Sequence, residues 1–259
     1  MRRFNPFLLT LPTILVLLFI SLYPLIYSLS LSFCYYILTK PTEIKITGLE
    51  NYVSVLISYW FQTASRNTLI FTAGVVVVEF LVGFGMALLL FEDFRGHSVV
   101  TSVLLFPLML SPVLAGIMWR FMFHTQLGIV NYLLSLVGIT PIVWLGDALN
   151  AMLAVMVTDI WQWTPFMFST LLAGIYSLPR EPYEAAQIDG ASFWQVTKSI
   201  TIPLLKPLIL VVLLLRSIDA FRTFDLIYII TGGGPGFATE TLSMLIYRIG
   251  FRSLDIGKA

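Results

Sequence analysis

The chain has 259 residues, 58% of them hydrophobic and only 11% charged, with a formal net charge of +1 and a mean hydropathy of +0.90. Soluble domains carry about 25% charged residues, so a water-soluble globule is excluded and lipid is the expected solvent. The near-zero charge gives nucleic acid no reason to bind. The single Cys34 excludes an internal disulfide or a cysteine-based zinc site, and His97 and His124 lie far apart, so no metal centre is expected.

No charge falls between Arg3 and Lys40. That stretch is too long for a signal-peptide core and lacks a small-residue cleavage site. It reads as a retained transmembrane helix over roughly 7–33, since about 20 apolar residues cross a bilayer. Further spans are expected at roughly 67–91, 99–122, 151–176 and 207–231, giving five. Basic residues divide equally between the two sides, so orientation rests on Arg2 and Arg3 beside the first helix, which place the N-terminus in the cytoplasm.

Residues 34–66, containing GLENYVSVL, form a long outer loop, and EDFRGHS at 92–98 is a tight cytoplasmic turn. GIVNYLLSLVGI, between 123 and 150, is an amphipathic piece at the outer interface, with Trp144 as its aromatic anchor. No internal repeat is evident, which weakens a secondary-transporter reading.

The connection after the fourth span, EAAQIDGASFWQVTKSITIP at 184–203, has the punctuation of a built structure. Pro182 suits a first helical position, and Glu181 and Glu184 complement a positive helix start. Gly190 can take the left-handed conformation that ends many helices. Ser192 with Gln195 forms a capping box opening a second helix, in which Phe193, Val196 and Ile200 share a face. Pro203 is expected to stop that helix, and Pro203 with Pro207 to separate it from the fifth span. Ala185 and Ala186 are small enough to let a partner approach. A partnerless helix hairpin at the membrane interface fits the pattern equally well.

Glu184-Ala185-Ala186, Gly190 four residues on, and Ile200, Ile202 and Pro203 resemble the EAA loop of ABC-importer permeases. GLENYV, RNTLIFT, WQWTPF and FDLIYIITGGGPG extend the likeness over nearly the whole chain, to the binding-protein-dependent sugar permeases of the MalF- or UgpA-like type. The resemblance implies an all-α polytopic membrane protein with the type I (MetI-like) importer fold. It implies residues 1–62 as an N-terminal transmembrane helix and outer loop, and 63–259 as the permease core with the EAA loop at 181–207. A sixth helix ordinarily follows the segment matching TETLSMLIYRIGF, so a C-terminally truncated sequence is expected. Glu184, Ala185, Ala186, Asp189 and Gly190 are then the residues that couple to an ATPase.

The fifth span carries Arg216, Asp219, Arg222 and Asp225 at successive i, i+3 steps, a ladder winding about half way round a helix. Such residues line a solute path or neutralise one another. Glu79 and Asp159 face either a dimer interface or the cavity, and Arg120 snorkels to water. Trp161, Trp163, Phe166, Phe221, Phe224 and Tyr228 could stack on sugar rings or pack against lipid. Pro165 kinks the fourth helix. The run Gly232–Gly236 is a flexible break at the outer face and lacks the lysine of a phosphate loop.

The expected function is thus the permease subunit of an ATP-driven importer for a carbohydrate, an oligosaccharide, disaccharide or glycerol-phosphate-like solute, in the plasma (inner) membrane. It has no catalytic residues, no metal and no cofactor of its own. ATP and magnesium belong to two partner ATPase subunits, and a second homologous permease and an extracytoplasmic solute-binding protein complete the assembly. The competing readings are an ion-coupled secondary transporter, an ABC permease for a non-sugar solute, and a membrane enzyme, against which no nucleophile–base or carboxylate-pair constellation appears.

Overall fold

The computed structural model describes residues 6–40, 42–92 and 94–259, with side chains from Thr10 onward. Arg2 and Arg3, on which the orientation depends, and Asp93 of the 92–98 turn lie outside the described residues.

The elements in order are α1 (Pro6–Ser32), β1 (Cys34–Tyr35), β2 (Lys45–Ile46), α2 (Glu50–Leu56), α3 (Tyr59–Leu89), α4 (His97–Leu105), a 3-10 turn (Phe106–Met109), α5 (Pro112–Met122), α6 (Ile129–Leu136), α7 (Ala148–Tyr176), α8 (Glu181–Ile188), α9 (Phe193–Val196), a π turn (Thr197–Thr201), α10 (Ile202–Phe221), α11 (Asp225–Ile230), α12 (Leu242–Tyr247) and a second π turn (Arg248–Arg252). They divide into two units, one of residues up to Gln62 with Leu245–Ala259, the other Thr63–Met244.

In the first unit α1 is exposed from Thr10 to Ser30, as a lipid-facing helix would be. Asn51 of the GLENYV segment closes the chain behind it. Its amide donates to Ser32 O at 2.9 Å and Cys34 O at 2.8 Å, beside the antiparallel β1–β2 pair. The side chain of Arg248 lies over the Trp60 ring, 4.7 Å from its centroid.

The second unit packs α3, α7 and α10 side by side. Phe84 and Ala87 of α3, Phe168, Leu171 and Ile175 of α7, and Leu205 and Ile209 of α10 form one buried cluster. Lipid supplies no hydrophobic drive between helices, so close approach at small residues has to hold them together. Gly83 is such a position: a Cβ there would meet Met167 Cβ at 2.7 Å and the Phe168 backbone nitrogen at 2.9 Å. Gly174 would meet Leu208 Cδ2 at 2.2 Å.

Among the described residues three helices are long and apolar enough to cross a membrane: Thr10–Ser32, Tyr59–Leu89 and Phe193–Phe221. The expected third span is a bent pair, His97–Met109 with Pro112–Met122, turned by 98°. Its break is chemically marked, because Ser111 caps α5 by accepting from Leu114 N–H at 3.3 Å and Pro112 opens the helix. The fourth, α7, has 29 residues and carries Thr158, Asp159, Gln162 and Thr164, all buried against its neighbours.

The fifth span departs from expectation. Pro203 does not stop the helix after the hairpin; one continuous helix runs Phe193–Phe221. The π turn at Thr197–Thr201 lies immediately before Pro203. It absorbs the missing donor where the hydrogen-bond ladder is already interrupted. The helix then ends at Phe221, about ten residues early, and α11 follows as a separate short helix beginning at Asp225.

Two loops are held by hydrogen bonds that the sequence does not announce. Trp144 is a bracket within its loop, donating from Nε1 to Asn131 Oδ1 at 2.9 Å, while Asn131 Nδ2 holds Thr125 O and Ile142 O, each at 2.9 Å. The glycine run is a knotted turn. Thr231 and Thr239 hydroxyls meet at 2.7 Å, Thr239 Oγ1 donates to Gly234 O at 2.8 Å, and Asn67 Nδ2 donates to Phe237 O and Glu240 O at 3.0 Å.

Candidate functional site

Two regions of the second unit concentrate the chemistry. The first is the hairpin of α8 and α9. Pro182 occupies the second position of α8, within the first turn, where backbone donors lack helical partners anyway. The helix closes in a Schellman motif: Ala191 N–H donates to Ala186 O at 2.9 Å and Gly190 N–H to Gln187 O at 3.2 Å. Gly190 sits at φ +68, the left-handed conformation that glycine adopts without a Cβ penalty. Ser192 N–H then donates to Gln195 Oε1 at 2.7 Å, opening the second arm. Tyr183 ties the arms together through a 3.0 Å hydrogen bond between its hydroxyl and Thr201 Oγ1, inside the π turn.

Glu184, Ala185, Asp189 and Gly190 are exposed, while Ala186 is buried within the chain. Of the two small residues expected at a partner's surface, only Ala185 is therefore presented. Ile188, Phe193 and Trp194 are also exposed, Trp194 to 74%, a set of large apolar side chains at the tip. A hollow of about 400 Å³ lies beside the turn, lined by Asp189, Gly190, Ala191, Gln195, Val196, Ser199 and Ile200.

The second region is a buried charge cluster further along α10. Arg216 is 1% exposed. Its Nε donates to Glu79 Oε2 at 2.7 Å and its Nη2 to Glu79 Oε1 at 2.9 Å, a two-pronged pairing of fixed geometry. Nη2 also donates to Asp159 Oδ2, and Nη1 to Asp219 Oδ2 at 3.2 Å. The guanidinium carbon lies 5.0 Å from the centroid of the Trp163 ring. Asp219 accepts a second pairing from Arg222 Nη2 at 3.2 Å. Glu79 and Asp159, which the sequence leaves between two facings, thus converge on one guanidinium and join α3, α7 and α10. The expected ladder survives only in part. Arg216, Asp219 and Arg222 interact along α10, but Asp225 is on α11 and carries no hydrogen bond or ion pair among the described residues.

Beside this cluster is a hollow of about 350 Å³ lined by Asp159, Gln162, Trp163, Asp219, Arg222, Phe224 and Asp225, together with Pro112, Thr223 and Leu226. It lies at the lower end of the range of small-molecule sites, about 300–1,000 Å³. Gln162 gives its Nε2 proton to Leu110 O at 2.9 Å, at the bend before α5, and its Oε1 is buried with no hydrogen-bond partner.

Of the residues singled out in the sequence for the solute path, Trp163, Asp219, Phe224 and Asp225 come together here. Tyr228 stands behind Phe224, ring centroids 5.3 Å apart. Trp161 is set edge-on against Trp119 at 5.6 Å, packed on the core, and Phe221 points outward, 43% exposed; neither lines the hollow. Arg120 is exposed and donates from Nη1 to Ile229 O at 3.0 Å, joining α5 to α11. Sequence reasoning passed over Gln162 and the clamp residues Asn67 and Thr68, the latter accepting from Leu242 N–H at 2.9 Å. Asn67 and Thr68 stand in RNTLIFT and Gln162 in WQWTPF.

The chain is similar to known proteins in both sequence and fold. Residues 79–254 match the family described as binding-protein-dependent transport system inner membrane component. The chain is 42% identical over 205 residues to the trehalose/maltose transport system permease protein MalF of Thermococcus litoralis, covering 79% of this chain and 70% of that one. It is 36% identical to the sulfoquinovosyl glycerol transport system permease protein SmoG of Agrobacterium fabrum, covering 96% and 81%. In structure it is similar to a chain of a bacterial alginate ABC transporter, solved in complex with an alginate pentasaccharide-bound periplasmic protein. That match has a TM-score of 0.82 at 26% identity and covers 97% of this chain and 85% of that one.

Proposed function

Since the chain belongs to the binding-protein-dependent transport system inner membrane components, the permeases of ABC transporters, we propose that it is a carbohydrate-importing permease whose α8–α9 hairpin seats on an ATPase. The observation that carries this reading is the unbroken helix from Phe193 to Phe221. Its first turns are the hairpin's second arm, and its last turns carry Arg216 and Asp219. A push on the hairpin therefore reaches the charge cluster through one helix, with no loop between to absorb it. The solute meets the hollow of Trp163, Asp219, Phe224 and Asp225, where aromatic faces and paired charges suit a sugar's apolar ring faces and its hydroxyls.

In this reading ATP and magnesium are bound and ATP is hydrolysed on separate chains, two per assembly, and this chain binds neither. A second homologous permease completes the pathway. An extracytoplasmic solute-binding protein delivers the sugar, and the N-terminus is cytoplasmic. Nucleotide binding biases the population between outward- and inward-facing arrangements of the helices. The relatives named for trehalose/maltose and sulfoquinovosyl glycerol support carbohydrate as the solute class.

Gly190→Pro tests the hairpin. Proline fixes φ at about −65° and has no N–H, whereas this position needs φ +68 and a donor to Gln187 O. The variant should enter the membrane normally and fail to retain the ATPase on purification. Undiminished co-purification refutes the docking role.

A further inference from the structure

We infer that the hollow selects uncharged sugars against anionic ones, with Asp225 as the residue that sets this preference; the inference rests on the reading of the hollow as part of the solute path. The relevant groups can be counted. Four carboxyl groups, Glu79, Asp159, Asp219 and Asp225, stand at or directly behind the hollow against two guanidinium groups, Arg216 and Arg222. The formal sum is negative, and it stays negative when any one carboxylate is left out.

Position matters as much as the sum. Arg216 is enclosed and makes four hydrogen bonds to Glu79, Asp159 and Asp219, so it is out of reach of an incoming anion. Arg222, its side chain 71% exposed, is the cation within reach, and it is paired to Asp219 through one N–H at 3.2 Å. Among the described residues Asp225 has no side-chain partner, and it stands exposed at the hollow. An incoming phosphate or carboxylate meets a free carboxylate, while an incoming hydroxyl finds an acceptor. Asp219, which also lines the hollow, is a second acceptor, and acceptors suit sugar hydroxyls, whereas a phosphate or carboxylate group cannot use them. Trp163 and Phe224 supply apolar walls. The hollow thus offers hydrogen-bond acceptors and ring faces, and two accessible carboxylates, Asp219 and Asp225, line it against one accessible cation, Arg222.

The pair of probes is trehalose and trehalose 6-phosphate, which differ by one phosphate. Binding is measured on the assembled transporter in lipid nanodiscs without its solute-binding protein, so that selection by that protein is out of the measurement. Trehalose should bind at least about tenfold more tightly, the scale of one like-charge contact a few Å apart near a surface. Asp225→Asn should shrink the difference severalfold and Asp225→Lys should abolish or reverse it; both should still co-purify with the partner subunits. Equal binding by the unaltered transporter, or a difference that Asp225→Lys leaves untouched, overturns the selectivity while leaving the hollow as a sugar site. If neither sugar binds and Trp163→Ala and Phe224→Ala leave uptake unchanged, the hollow is not on the solute path and both readings fall.

Discussion

Replacing Arg216 by methionine is the sharpest test of how the second unit is held together. Methionine roughly keeps the apolar stem and removes the guanidinium. It strands Glu79, 0% exposed, and Asp159, 1% exposed, without their shared cation. Attraction between unit charges about 4 Å apart is of order 4 kcal/mol at an effective dielectric near 20. Breaking a buried pair by removing one partner costs about 3–5 kcal/mol in measured cases. The stack on Trp163 is lost as well, which adds about 0.5–2 kcal/mol. Taking only the pair, and about 2–4 °C per kcal/mol for a chain near this size, the midpoint should fall by roughly 6–20 °C.

The assay is thermal unfolding of the detergent-solubilised assembly at a fixed scan rate. The companion variant Glu79→Leu/Asp159→Leu/Arg216→Met removes all three charges and should recover most of the loss, because a buried ion cluster exchanged for apolar side chains is often neutral in stability. Uptake should remain impaired in that variant, since Asp219 loses the donor that orients it. If Arg216→Met stays within about 2 °C of the unaltered protein, the cluster contributes no more than an exposed ion pair and the reasoning fails.

Asn67→Ala removes both donors to Phe237 O and Glu240 O. Leaving buried acceptors unmet costs about 1–3 kcal/mol, and amide exchange across residues 237–242 should speed up markedly; unchanged exchange would show that the turn holds without the clamp. Gly83→Ala forces a Cβ against Met167 and the Phe168 backbone and should destabilise by about 1–3 kcal/mol. Gly85→Ala, with open space on the opposite side of the same helix, should be neutral or gain up to about 1 kcal/mol. Equal midpoints for these two variants would contradict close packing of α3 on α7.

What the sequence reveals and what it hides divide by range. The hairpin's turn is legible because its determinants are neighbours: Gly190 at φ +68 and Ser192 with Gln195 are set by residues no more than a few places away. The apolar runs locate the helices for the same reason. Uniform apolarity does not say where a run bends, and the 98° break before α5 is signalled only by Ser111-Pro112, a helix-start pattern inside an apparent span. Proline misleads at Pro203 because the usual penalty presumes a regular ladder, and the π turn before it has already altered the ladder. The pairing of Glu79 with Arg216, 137 residues apart, has no local trace at all. Each looks like a lone ionisable residue in an apolar run until the fold brings them together.

If the hairpin moves as proposed, the cluster constrains how that motion can be used. If α10 slid alone by one helical turn, about 5.4 Å, Arg216 would leave Glu79 and Asp159 behind in a dry interior. The cost would be of the order calculated for Arg216→Met, too large for a step repeated in every cycle. A tilt of α10 about Arg216 fares no better. The arm from Phe193 to Arg216 is roughly 35 Å and the arm from Arg216 to Phe221 roughly 8 Å, so a hairpin displacement of 3 Å would reach the hollow as less than 1 Å. The low-cost motion keeps Arg216, Glu79 and Asp159 together, so that α3, α7 and α10 travel as one body. Access to the solute must then open along the surfaces this body presents to other subunits, and at the short break between Phe221 and Asp225, where α10 gives way to α11.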